Sequence, residues 1–527
     1  GVSEKLRAQV LRKLFHLPGF HLPDGLDDYD DDFTQFAKLG DIVTREMERM
    51  LLRERQAADA AEAASEPGQV SRLSSATGNG LARSRACAAA AKTEWRPAAV
   101  VSYQSAGTLL IVGAEAEALA VAEQLKGRGS LTCTVLVPEQ GQPGDGESAS
   151  TALIRGKVTS LSGHLGQFRV QLESPAAAAA LKMATGNTEG HFDLLLDLSR
   201  PPFLGSEILP PGYYAPADAA ALQQALQELP TLVGAFEKPR YFRYNASICA
   251  HGRSGIIACT RCLDTCPTDA IISIGDTIQV DPKLCQGAGS CATVCPTGAI
   301  SYGYPRLGDT LQRLRTLLKT YRQEGGTAAV LLMHDAEDGR RRLEAVAEQL
   351  PENVIPFEIE ELGSAGMDSW LAALAYGASA LWLLAPPGLP ASVMTALATQ
   401  LKVARAILEG MGYPADVLQI SGPDSEALLQ LLNSRLPVFA PEYAEFVALD
   451  EKRTVIRLAV DHLYEQAPAP RPLVSLPAGS PFGEVEVSAE RCTLCMACVS
   501  QCPANALSAG DEKPQLKFIE ANCVQCG

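Results

Sequence analysis

Residues 241–300 read YFRYNASICAHGRSGIIACTRCLDTCPTDAIISIGDTIQVDPKLCQGAGSCATVCPTGAI, and this stretch decides what kind of chain it is. Two Cys-rich runs lie about twenty residues apart, and each closes on Cys-Pro-Thr before a turn into Ala-Ile, at Cys266-Pro267 and Cys295-Pro296. The spacing C-x2-C-x2-C-x3-C-P is that of iron–sulfur ligands: three thiolates on one tight loop hold one cluster, and the fourth crosses to a second. Short spacing lets successive backbone N–H groups point at the sulfurs, and the proline ends the loop as the chain turns into a short helix. Buried structural thiols or a zinc site do not account for two Cys-Pro endings in an internal repeat.

This is how a two-cluster bacterial ferredoxin is written, and both runs depart from that pattern. In the first, Ile256 stands where the leading Cys belongs, with Cys259, Cys262 and Cys266 following in order. The nearest upstream thiol is Cys249, and the intervening loop contains Gly252 and Gly255, flexible enough to bring it back. The expected set is therefore Cys249, Cys259, Cys262 and the crossing Cys295; the alternative leaves Cys249 a spectator, with His251 or solvent completing the site. In the second run Ala288 replaces a Cys, leaving Cys285, Cys291 and the crossing Cys266. Three thiolates suit a [3Fe-4S] cluster, or a [4Fe-4S] cluster with one non-Cys ligand. Loss of a negative ligand predicts a higher reduction potential.

Near the C-terminus, GEVEVSAERCTLCMACVSQCPANAL carries Cys492, Cys495, Cys498 and Cys502-Pro503 without a gap, and EANCVQCG opens another run with Cys523 and Cys526. The expectation is a run continuing past residue 527; the alternative is one cluster taking Cys523 or Cys526 as its fourth ligand. Two to four [4Fe-4S] clusters are expected in all.

At 527 residues the chain exceeds a single core and suggests three or four domains. With 46% hydrophobic and 20% charged residues it reads as globular, and the formal charge of −16 argues against a nucleic-acid or anionic-membrane partner and for a basic protein face. Of the fifteen Cys, all but Cys87 and Cys133 lie in cluster-type runs or at Cys249, the usage of a reducing compartment. The chain shows no apolar leader and no run of the ~20 apolar residues a membrane helix needs. A cytoplasmic bacterial protein, peripheral to a membrane only through a partner, is expected.

The fold class is multidomain α/β with two ferredoxin-like (α+β) iron–sulfur units and a small α-helical N-terminal module. Residues 1–55 form that module, with Leu6, Val10, Leu11 and Leu14 at helical spacing and a solvated acidic turn, DGLDDYDDDF. Residues 56–98, rich in Ala, Ser, Gly and Arg, are read as a linker. Residues 99–235 begin strand–helix–strand as a Rossmann-like domain. Its phosphate loop keeps only the first glycine, Gly113, and carries Glu115 and Glu117, so a structural role is favoured over nucleotide binding. Residues 236–305 hold the two-cluster unit. Residues 306–437 alternate apolar strands with amphipathic helices as a parallel sheet covered on both faces. Residues 438–482 are read as a hairpin and a Pro-rich connector, and 483–527 as the second unit.

Three resemblances add to this. LRKLFHLPGFHLPDGLDDYDDDFT resembles a small uncharacterised family encoded beside bacterial formate dehydrogenases. The stretch from IEELGSAGMDSWLAALAYGASALWLLAPPG to ARAILEGMGYPADVLQIS resembles the delta-subunit domain of methyl-viologen-reducing hydrogenase, without that domain's cluster cysteines. The long Cys runs resemble large bacterial ferredoxin-like proteins encoded near molybdenum formate dehydrogenases. What these imply is a multi-cluster electron carrier partnered with formate dehydrogenase or another redox protein, of unknown oligomeric state and with no catalytic residue of its own. The rivals are a flavin- or pyridine-nucleotide-linked oxidoreductase using residues 99–235, and a maturation factor for the dehydrogenase using Cys87 as a free thiol.

Overall fold

A computed structural model describes residues 78–138, 151–186, 190–252, 257–422, 424–433, 441–447, 449–510 and 513–526, all within one compact unit. The expected N-terminal helices lie outside the described residues, as does Ile256.

The first α/β domain is built on continuous apolar strands. Strand β1 (Val100–Ser105) is followed by β2 (Thr108–Val112), β3 (Thr132–Val137) and β4 (Ala152–Arg155). A hairpin of β5 (Val158–Ser162) and β6 (Arg169–Leu172) leads to β7 (Leu194–Asp197), β8 (Tyr213–Tyr214) and β9 (Gly234–Pro239). The parallel sheet runs in the order β4-β3-β2-β7-β8, while β1 and β9 form an antiparallel ribbon. Helix Glu115–Leu125 buries Ala118, Val121, Ala122 and Leu125, one face at helical spacing. Asp193 ties the β1–β2 turn to β7 by accepting from the N–H groups of Ala106 and Thr108, each at 2.9 Å.

In the second α/β domain β14 (Val330–His334), β15 (Val354–Glu358), β16 (Ala380–Leu384) and β17 (Leu418–Ser421) are all parallel, in the order β15-β14-β16-β17. Alternate residues serve opposite faces: Leu331, Met333, Leu381 and Leu383 join the larger core, and Val330, Leu332, Trp382 and Leu384 the smaller. This two-sided burial explains why the strands read as unbroken apolar runs.

Two stretches differ from their sequence reading. Asn79–Ala90, taken as linker, is a helix whose small residues Ala82, Ala86 and Ala90 recur every fourth position and seat it closely against the core that includes Leu311, Leu314 and Leu318 of helix Leu307–Gln323. Arg83 from this helix donates to the carbonyls of Pro351 (2.9 Å) and Val354 (3.1 Å). Lys452–Glu465, taken as the second arm of a hairpin, is a helix burying Val455, Ile456, Ala459 and Leu463. Its β-branched residues suggested a strand, but the apolar period is helical, and packing on helix Met367–Ala375 satisfies it.

Between the two domains sits the first Cys-rich module. Its frame is β10 (Phe242–Tyr244) paired with β13 (Ile300–Tyr302), and a hairpin of β11 (Ile271–Ile274) and β12 (Thr277–Val280). Gln286 donates to Leu209 O at 2.6 Å on one side, and Thr293 to Gly363 O at 2.6 Å on the other. The second Cys-rich module has the same plan in small: a loop, helix Ala497–Gln501, and a hairpin of β18 (Leu507–Ala509) and β19 (Leu516–Phe518). Among the described residues no helix is long and apolar enough to cross a membrane.

Candidate metal centres

In the first module the structure brings Cys249, Cys259, Cys262 and Cys295 to the wall of one cavity, whose lining also includes Tyr244, His251, Arg261, Ile278, Thr297 and Ile300. Cys249 arrives from a short 3-10 turn, Ala246–Ile248, capped by the Asn245 side chain on Ser247 N at 3.0 Å. The loop from there to Cys259 is tied at its neck. Ala258 N donates to His251 O (2.7 Å), and the two nitrogens of the His251 ring meet Cys259 O and Ser273 Oγ, each at 2.8 Å. His251, an alternative ligand on sequence grounds, is thus occupied as the lock of the loop. Gly252 is needed for the same closure, because a Cβ there would lie 2.5 Å from the Asp276 backbone. Neither role is visible from spacing alone, since the partners lie on the β11–β12 hairpin.

Cys266, Cys285 and Cys291 form the second group. Burial, then the neighbouring Cys285 and Cys266, hold the Cys291 thiol well above its ordinary range. In the first group burial pushes Cys262 up to about 12, reinforced by Cys295, Cys259 and Cys249. Thiols facing one another in this way form an all-sulfur donor set of the kind that holds iron. Each closing cysteine, Cys266 and Cys295, lies with the other run's group. Cys266 Sγ is 3.4 Å from the hydroxyl of Thr268, and Cys295 Sγ is 3.6 Å from that of Thr297, so each Cys-Pro-Thr supplies a polar partner to its own sulfur.

The C-terminal module places Cys526 near Cys502 and Cys523, with Ala506 N donating to Cys502 Sγ at 3.2 Å. Cys492 and Cys495 share the preceding loop, and Cys498 sits in the first turn of helix Ala497–Gln501. Cys495 is fully exposed, and the Ala497 N–H and the Thr493 side chain hold its thiol below the usual value.

The backbone carries a repeat that the cysteines alone do not. Two residues after Cys285, Cys492 and Cys523, the chain turns to positive φ at Gly287 (82°), Leu494 (54°) and Gln525 (47°). It does so again three residues after each Cys-Pro cysteine, at Asp269 (52°), Gly298 (78°) and Asn505 (50°). Ala288 lies between Gly287 and Gly289 (79°), as Cys495 lies between Leu494 and Met496 (59°). Glycine is required in the first case: a Cβ on Gly287 would meet the Tyr241 ring at 2.9 Å, and one on Gly289 the Ser364 backbone at 2.5 Å.

Elsewhere, Glu115 pairs with Arg155 across the carboxyl ends of β2 and β4 in the first domain. Gly113 there serves packing, since a Cβ would press on Leu198 at 2.8 Å. Cys87, placed by sequence in a linker, belongs to the helix Asn79–Ala90, where burial raises its thiol pKa. Among the described residues no group of three or more His, Cys, Asp or Glu side chains is arranged to hold a single metal ion.

Two stretches, residues 277–300 and 485–508, each match a family described as 4Fe-4S binding domain, and residues 1–39 match one described as protein of unknown function (DUF3306). Over 40 residues the chain is 52% identical to "Hydrogenase-4 component A" of Escherichia coli (strain K12), covering 8% of this chain and 20% of that protein. Over 39 residues it is 46% identical to "Ferredoxin" of Alicyclobacillus acidocaldarius subsp. acidocaldarius and 41% identical to "Ferredoxin 7Fe" of Hydrogenibacillus schlegelii, in each case 7% of this chain and 50% of the relative. The chain thus spans between a fifth and a half of the length of these relatives.

Proposed function

We propose that this chain is a multi-cluster electron-transfer protein with two ferredoxin units, residues 236–305 and 483–527, serving a molybdenum formate dehydrogenase. The observation that carries the reading is the crossed arrangement of the first module: two groups of half-buried to buried thiols, each completed by the closing cysteine of the other run. Cys249, Cys259, Cys262 and Cys295 would hold one [4Fe-4S] cluster, and Cys266, Cys285 and Cys291 a [3Fe-4S] cluster. Cys492, Cys495, Cys498, Cys502, Cys523 and Cys526 would serve the second unit. Bound clusters supply one-electron uptake and release, with no bond made to a substrate.

The chain's own residues set the environment. The β10–β13 frame and the His251 lock hold the thiols in place, and Ile278 and Ile300 give the cavity part of its apolar wall. The exposed Val487, Leu494 and Ile519 give the second unit an apolar face for a redox partner. The formate assignment rests on the resemblance of residues 1–55 and of the Cys runs to formate-dehydrogenase neighbours. A nucleotide-linked reading is disfavoured by the Glu115–Arg155 pair at the strand ends, and a maturation role through Cys87 by that thiol's burial.

The test is anaerobic. The oxidised, cluster-loaded protein is mixed with the formate dehydrogenase of its own organism, formate is added, and the iron–sulfur absorbance is followed. Bleaching that requires both enzyme and formate supports the proposal. No bleaching, from a protein that dithionite reduces, removes formate dehydrogenase as the partner.

A further inference from the structure

Two adjacent cations at the start of helix Lys452–Glu465 reach in different directions. Lys452 is buried, and its Nζ donates to Ala292 O (2.8 Å) and Thr293 O (2.5 Å), on the short helix that carries Cys291 and ends at Cys295. Gly298 makes room for it, since a Cβ there would lie 3.2 Å from the Lys452 Cβ. Arg453 faces the C-terminal module instead. Its guanidinium donates to Ala521 O (2.7 Å), Cys523 O (3.0 Å) and Pro481 O (3.0 Å), and lies 4.6 Å from the centre of the Phe482 ring. A third cation closes the seam from the other side. Arg261, between Cys259 and Cys262, donates to Gln525 O at 3.0 Å, beside Cys526.

All of these hydrogen bonds end on backbone carbonyls, and all but the one to Pro481 lie on or within two residues of a cluster-type cysteine. No carboxylate takes up their charge at the point of contact; burial lowers the pKa of Lys452 and of Arg453, and Asp368 on helix Met367–Ala375 and the neighbouring sulfurs of Cys295 and Cys291 oppose that shift at Lys452. A thiolate-held cluster gains a negative charge on reduction, and a fixed cation nearby stabilises that form and raises its potential.

We propose that Lys452, Arg453 and Arg261 form a cationic seam through which the two modules exchange electrons, the group of Cys249, Cys259, Cys262 and Cys295 facing the group of Cys502, Cys523 and Cys526. With clusters bound by these thiolates, the step would be a one-electron exchange, one cluster oxidised as the other is reduced, with no bond made and no proton moved. The three side chains are positioning residues, and the inference rests on the electron-transfer reading above.

The full chain is loaded with clusters anaerobically, and Lys452→Met, Arg453→Met and Arg261→Gln are compared with wild type by iron and sulfide content and by redox titration followed by electron paramagnetic resonance. Lys452→Met lowers the potentials of the first module, changing its reduced-to-oxidised ratio by about tenfold, or about 59 mV for one electron. Arg453→Met does the same in the C-terminal module, while Lys452→Arg and Arg453→Lys restore the wild-type values. Arg261→Gln, on the exposed side of the seam, weakens magnetic coupling between the two modules' signals at unchanged cluster content. Unmoved potentials with full cluster content, loss of iron in Lys452→Met and Arg453→Met that the charge-keeping variants do not restore, or a Lys452→Met shift confined to the C-terminal module, each overturn the seam. A wild-type chain that takes up no iron or sulfide refutes the electron-transfer reading itself, and the seam falls with it.

Discussion

Replacing Ala288 with cysteine adds one sulfur at the position where the Cys266, Cys285 and Cys291 group lacks a fourth ligand. Ala288 is bracketed by positive-φ residues at 82° and 79°, as Cys495 is at 54° and 59°, so the backbone presents both side chains alike. The new thiolate should recruit one more iron, turning a three-iron into a four-iron site. It also adds a negative ligand, which lowers the potential of that site. The methyl of Ala288 packs against the core of the second α/β domain. A sulfur that fails to bind iron therefore overfills a packed contact, at ~1–3 kcal/mol. For a domain of roughly 150–250 residues that is a Tm lower by about 2–4 °C per kcal/mol. The two outcomes separate cleanly when iron per chain, the paramagnetic signal of an oxidised three-iron cluster, and Tm are measured on the same samples. Expected are one added iron, loss of that signal, and an unchanged Tm. Unchanged iron with a lowered Tm would refute the reasoning, as would a wild-type protein that shows no three-iron signal.

Cys249→Ser should cost iron at its own site and leave the three-iron signal intact; equal loss at both sites would show that Cys249 supports the fold rather than a cluster. Gly289→Ala combines a φ of 79° with a Cβ 2.5 Å from the Ser364 backbone, so it should destabilise by more than the ~1–2 kcal/mol of the left-handed conformation alone. Gly275→Ala, at a φ of 56° with open space around it, is the control expected to show only that smaller loss in urea denaturation. Burial pushes the Cys133 thiol up to about 11. Because the thiolate is the nucleophile, iodoacetamide should label Cys133 poorly at pH 8 and increasingly as pH rises through that value. Ready labelling at pH 8 would contradict the packing of β3. Trp382→Ala, removing a fully buried side chain from the smaller core, should lower unfolding stability by ~3–5 kcal/mol.

What could be read from the sequence was what repeats along it. The apolar runs of β14 and β16 and the helices between them signal a sheet covered on both faces, and the Cys-Pro-Thr endings signal thiolate loops. Asn79–Ala90 was illegible because its buried face is made of alanines, which look like low complexity until Leu311 and Leu314 are set against them. Lys452–Glu465 misled through Val455 and Ile456, whose strand preference gave way to helical packing. Positive φ was legible at Gly287 and Asn505, residues suited to it, but not at Leu494, Met496 or Gln525. Lys452 carried no signal at all, because its partners are main-chain carbonyls about 160 residues away.

The contrast at the positive-φ positions bears on the order in which metal enters and leaves. In the first module Gly287 and Gly289 adopt that conformation freely, and the loop is further clamped between two folded domains. In the C-terminal module Leu494, Met496 and Gln525 each give up ~1–2 kcal/mol to hold it. The loop around Ala288 is therefore shaped before any iron arrives, whereas the last ones keep their shape at the expense of the bonds that tie them. Assembly should run from the centre of the chain outward, and a chelator should strip it in the reverse direction, leaving a half-loaded intermediate whose remaining iron lies between the two sheets.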